Sequence, residues 1–108
     1  HRMESPAYVP RVLGAYRSTP GTCGAVRKPD RAFALQLFKR GVPLRAVENA
    51  FVLAATRRLV RPADAPPLGV IRSLAYFSPV IDVVLDLKIG DAYFQYLRYR
   101  LAGSPRQP

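Results

Sequence analysis

The chain has 108 residues, 49% of them apolar, and carries 17 Lys and Arg against 7 Asp and Glu, a net charge of +10 with a pI near 10.7. That length suits one domain with one modest core, and the apolar fraction excludes wholesale disorder. The cations are mostly Arg, which points to a polyanion, nucleic acid ahead of an acidic membrane surface; an Arg-rich genome is the plain alternative.

Cys23 is the single cysteine, so no internal disulfide can form and a cytoplasmic setting is expected. His1 is the single histidine, which would leave a zinc site to carboxylates alone, so no metal or other cofactor is expected. No apolar run approaches the roughly 18 residues of a membrane span, and no signal peptide is visible. No membrane association is therefore expected. His1 and Arg2 ahead of Met3 look like a vector remnant, and without Arg2 the charge is +9. The single helical domain is expected over 3–103, with 104–108 a disordered tail.

In chain order, Ser5-Pro6 suits a helix start, with Ser5 as cap and Pro6 in the first turn. Pro10 then either falls in that first turn or restarts the helix. Val9, Val12, Leu13 and Tyr16 form an apolar face that ends near Ser18. Pro20, Gly21, Gly24 and Pro29 make Thr19 to Pro29 a loop, in which Cys23 is a half-buried small residue and Arg27-Lys28 a solvated pair. Asp30 is expected to cap a helix over 31–40, with Ala34, Leu35, Leu37 and Phe38 inward. Gly41 can take the left-handed conformation that ends it, and Pro43 suits the first turn of the next helix.

That next helix, 44–59, is the apolar centre of the chain. Leu44, Val47, Ala50, Phe51, Ala54 and Ala55 follow the helical period, and Val52 and Leu53 widen the stripe. Arg45, Glu48, Asn49 and Thr56 are its polar edge, and Arg57 and Arg58 complement the dipole at its end. The short turn at Gly41 gives the pair the outline of a helix-turn-helix. Gln36, Leu37 and Arg40 stand where that motif wants apolar, small and apolar residues, so a plain helical hairpin is the preferred reading.

Pro62, Pro66 and Pro67 make Arg61 to Gly69 a loop. Beyond it, Ile71, Leu74, Phe77 or Ser78, Ile81 and Leu85 recur helically, with Val80 and Val84 beside them. Pro79 splits the run into expected helices over 70–77 and 79–86, the second capped by Ser78. Asp91 is expected to cap a last helix that Gly103 ends, with Tyr93, Phe94, Leu97 and Leu101 in the core and Gln95, Tyr96, Arg98, Tyr99 and Arg100 on or near the outer side. The fold class is thus all-α, a compact single-domain bundle of five or six short helices around the central apolar helix.

Enzyme constellations are missing. Asp82 and Asp86 are the one pair of acids on adjacent turns and read as a solvated edge, so no catalytic residue is expected. Two basic clusters stand out: Arg57, Arg58 and Arg61 with Arg72, and Arg98 with Tyr99 and Arg100, where aromatics interleave with guanidinium groups as in single-strand binders.

Ser73 to Val84 reads S-L-A-Y-F-S-P-V-I-D-V-V and follows a helix carrying Val47, Ala50 and Ala54. Residues 41 to 85 resemble the C-terminal domain of DnaD-like primosomal and phage replication proteins, whose signature is a Tyr, an aliphatic residue four later and a Trp four after that. Tyr76 and Val80 match; Val84 replaces the Trp, and Pro79 interrupts the motif. The resemblance implies a small helical module that helps load a helicase, binds DNA partly through Tyr76, self-associates and meets other replication proteins. The expected function is non-catalytic nucleic-acid binding, DNA before RNA, in replication of a phage or mobile element. The alternatives are a dimerisation or adaptor module using Tyr96 and Tyr99, and a helix-turn-helix regulator.

Overall fold

The fold is taken from a computed structural model that describes residues 5–62, 64–87 and 91–103. The expectations for residues 1–2 and for the tail 104–108 lie outside these, as do the side chains of the expected caps Ser5 and Asp91. The described residues form α1 (Ser5–Ser18), α2 (Lys28–Lys39), α3 (Leu44–Leu59), a 3-10 turn (Leu74–Phe77), α4 (Ser78–Leu87) and α5 (Asp91–Gly103). The all-α bundle is as expected, and α3 is its centre. α1, α4, α5 and the 3-10 turn all pack on it.

Small residues explain how one helix takes so many neighbours. Ala50, Ala54 and Ala55 are buried and lose no side-chain entropy on burial, so adjoining elements approach the α3 backbone closely. Phe51 supplies the bulk. Its ring meets Phe77 at 4.8 Å, and Phe77 meets Tyr16 at 6.1 Å, both edge-on, which locks α1, α3 and the 3-10 turn together. Of the two residues that could have faced inward at the Pro79 split, Phe77 is fully buried.

The turn after α2 is a Schellman motif. Gly41 has φ +76°, its N–H donates to Phe38 O at 3.0 Å, and Val42 N–H donates to Leu37 O at 3.1 Å. Pro43 stands one residue ahead of α3 as its extended N-cap rather than within the first turn. Tyr8, which the apolar pattern of α1 did not single out, is buried and donates its hydroxyl to Val42 O at 2.7 Å. Burial pushes the Tyr8 hydroxyl up to about 12, with Arg40 opposing it. A tyrosine harder to ionise when folded stabilises the fold fully below pH 10 and stops doing so as pH rises toward 12. Tyr8→Phe is therefore expected to lower stability at neutral pH by about 1–3 kcal/mol through the orphaned carbonyl. It should also flatten the loss of unfolding free energy between pH 10 and 12, read by urea titration.

Four expectations are corrected. Asp30 is not the N-cap of α2: Arg27 is, and Asp30 is the third helical residue, reaching back to accept from Arg27 N–H at 2.9 Å. Residues 70–73 are extended, because Ile71 N–H donates to Gly21 O at 2.8 Å and Ile71 O accepts from Cys23 N–H at 2.9 Å. These bonds to a distant loop outweigh the helical period, and only 74–77 turns. Ser78 has helical φ and ψ and caps nothing; the 3-10 turn runs straight into α4, with Pro79 in the first turn where no N–H is needed. Finally, α2 packs on α1 and the 3-10 turn instead of along α3. The helical hairpin is therefore absent. With α1, α4, α5 and the 3-10 turn packed on it, α3 keeps few exposed positions, Arg45, Arg57 and Leu59 among them.

Candidate nucleic-acid interface

The end of α3 brings Arg57 and Arg58 out of the core, and Arg61 follows just past the helix. With Ala54, Leu68, Tyr76 and Val80 they line one open groove of about 320 Å³. Four of the residues singled out from sequence thus converge: Arg57, Arg58, Arg61 and Tyr76. Arg72 does not join them; it is exposed on the extended 70–73 segment and is not part of the groove lining.

Neutral acceptors orient Arg58 and Arg61. Arg58 donates through Nη2 to Gly69 O at 2.8 Å and through Nη1 to the Tyr76 hydroxyl at 3.4 Å. Its guanidinium also lies against Gly21, where a Cβ would come within 3.0 Å of Nε; with φ +95°, that position favours glycine twice over. Arg61 donates to Pro66 O at 2.6 Å. Arg57 is exposed and makes no hydrogen bond or ion pair among the described residues. Of the described acids, Glu48 lies by Arg11 and Arg45 at 3.8 and 3.9 Å, Asp82 by Arg40 at 3.8 Å, and Asp30 is buried, while Asp64 in the loop after Arg61 and Asp86 on α4 are exposed and form no ion pair with a described residue. No described carboxylate forms an ion pair with Arg57, Arg58 or Arg61. No ion pair offsets their charge, the geometry of Arg58 and Arg61 is held, and guanidinium groups keep spare donors for phosphate oxygens.

The second cluster divides. Arg98 was expected on the outer side, but it is half-buried and donates through Nη2 to Oδ1 of Asn49 at 2.8 Å. Asn49, expected on the polar edge of α3, is buried and exists to meet it. Because α5 packs mainly on α3, this bond ties the two helices. Asn49→Ala is expected to cost about 1–3 kcal/mol, and the double variant with Arg98→Ala to cost less than the sum, as a thermodynamic cycle would read. Tyr99 and Arg100 are exposed as expected, and Arg100 Nη1 donates to the Tyr96 hydroxyl at 2.8 Å. Tyr93, expected in the core, is 47% exposed. Phe94 and Leu97 fill the buried side instead.

A larger cavity of about 520 Å³ opens between α1, α3 and α5 and is lined by Arg45, Glu48, Phe51, Val52 and Arg98 among others. Its mixed charge does not suit a polyanion. Cys23 is half-buried, as expected for a small loop residue, and Asp86 is exposed on α4. No group of three or more His, Cys, Asp or Glu able to hold a metal converges among the described residues, and no described helix is long and apolar enough to cross a membrane. Sequence reasoning missed Leu68 as part of the groove, since nothing local marks a proline-loop leucine as the neighbour of a helix end. Compared with known proteins, the chain matches no family model, no curated protein and no solved structure.

Proposed function

We propose that the protein binds nucleic acid without catalysis, DNA in the first instance, through the groove formed by Arg57, Arg58, Arg61 and Tyr76. The observation that carries this reading is that Arg58 and Arg61, oriented by carbonyl and hydroxyl oxygens, line one groove with Arg57, and that none of the three forms an ion pair with a described carboxylate. In a chain of net charge +10, such a groove offers phosphate a site whose ordering is already partly complete. Tyr76 and Val80, the two positions that match the DnaD-like motif, both line it, while Val84 is buried in the core. This supports a role of replication-initiation type, in which the module meets DNA and other replication proteins. The test is a salt titration of binding to duplex DNA, single-stranded DNA and RNA. A log–log slope several units steep supports the reading, and affinity insensitive to salt, or no binding at 50 mM salt, ends it.

A further inference from the structure

α5 leaves one face unpartnered. Phe94 and Leu97 are buried, whereas Tyr93, Tyr96 and Tyr99 are 47%, 52% and 67% exposed. They stand at i, i+3 and i+6, so their Cβ atoms follow one another at about 5–6 Å along a shallow left-handed path. Arg100 lies on the same side, one turn on from Tyr96, and its hydrogen bond to the Tyr96 hydroxyl holds the guanidinium 5.8 Å from the ring centre. After Asp91 the helix holds Arg98 and Arg100 and no carboxylate. The face is therefore an aromatic ladder on a cationic helix.

We infer that this ladder is a stacking platform for a single-stranded nucleic acid, on which successive bases lie against Tyr93, Tyr96 and Tyr99 while Arg100 meets the backbone. The inference rests on the proposed nucleic-acid function and adds a strand preference to it. Rings with exposed faces are satisfied by unpaired bases and not by a duplex, whose bases already stack on one another; any base offers a π face, so sequence matters little. A second copy of the chain is the less fitting occupant. Pairing this face with itself would bring together two helices that each carry Arg98 and Arg100 against the single Asp91, so the excess of positive charge would remain. Phosphate supplies the missing negative charge.

The test uses the full chain, fluorescein-labelled (dT)12, (U)12 and a 12-base-pair duplex, at one fixed salt concentration. Tyr93, Tyr96 and Tyr99 are changed together to Ala in one variant and to Phe in another. All three are exposed, so circular dichroism should show both variants folded. The Ala variant should lose about tenfold per ring on (dT)12, with less than about threefold loss on duplex, and the Phe variant should keep most of the affinity. The chain has no Trp, so its six tyrosines carry the ultraviolet emission; (dT)12 should quench it in the parent and much less in the Ala variant. Parallel losses on (dT)12 and (U)12 place the preference in strandedness, and a loss confined to one of them narrows the ligand to that polymer. Equal losses on single strand and duplex overturn the platform, as do unchanged (dT)12 affinity or a shift only in the sedimentation of a dimer. In each of those cases salt-dependent duplex binding through the groove can persist, whereas absence of any binding by the parent removes both readings.

Discussion

Changing Arg57, Arg58 and Arg61 together to Gln is expected to weaken duplex DNA binding by about a hundredfold or more near 0.1 M salt. Each phosphate neutralised contributes about 0.9 to the log–log salt slope, so each contact is worth up to roughly eightfold at that concentration relative to 1 M. Loss of three should also flatten the slope by about 2.7. Gln keeps hydrogen-bonding capacity toward the Gly69 and Pro66 carbonyls that now hold Arg58 and Arg61, so the loop they brace need not collapse. Arg57 separates the two roles. It braces nothing among the described residues, so Arg57→Gln alone should reduce affinity and slope with the melting temperature unchanged. Arg98, an obvious choice from sequence, is the wrong target, because its guanidinium spends its reach on Asn49 and its loss would mix binding with stability. A slope unchanged in the triple variant would move the DNA surface away from the groove.

Asp30→Ala is expected to be the most damaging single substitution described, costing about 3–6 kcal/mol. The side chain is only 2% exposed and accepts twice: Oδ2 from Arg27 N–H at 2.9 Å and Oδ1 from Leu74 N–H at 2.9 Å. One bond starts α2, and the other pins the start of the 3-10 turn that carries Leu74 and Phe77 into the core. Hydrogen bonds to a charged group contribute about 1.5–3 kcal/mol each, and Leu74 N–H, buried with its residue, would find no water to replace the carboxylate. The position also suits a negative charge, since it lies in the first turn of α2 at the positive end of the helix dipole. Asp30→Asn retains one carbonyl oxygen and should lose about half as much. Urea unfolding followed by circular dichroism measures both; a midpoint shift worth less than about 1 kcal/mol for Ala would mean that the 3-10 turn is held by packing alone. Against a domain stability of roughly 5–15 kcal/mol, the expected loss brings the chain near its unfolding limit.

The basic groove and the ladder were unequally visible before the structure. Arg57, Arg58 and Arg61 are close in sequence, so their clustering followed from the helix end alone. Tyr76 could be joined to them only through the family resemblance, and folding places it there because Asp30 of α2 pins the start of the 3-10 turn and Phe77 seats the turn against Phe51 of α3. Tyr93 misled. Its i,i+4 relation to Leu97 suggested a shared core side, yet the buried side of α5 is narrow and is filled by Phe94 and Leu97. A helix packed against a single neighbour buries fewer positions than one enclosed on several sides, and periodicity cannot say which kind it is.

By itself the sequence determined the helical class, the bounds of α3 and the stop at Gly41. Those depend on the apolar period, on breakers and on a left-handed glycine, all of which act within a turn or two of the chain. Only the tertiary structure decided that 70–73 is extended, that α2 leaves α3 for α1, and that Arg58 and Arg98 are anchored while Arg57 is not. Each of these turns on hydrogen bonds or packing between residues far apart in the chain, such as Asp30 with Leu74 and Asn49 with Arg98. A buried donor or acceptor must find a partner wherever the fold offers one, and local pattern carries no record of where that is.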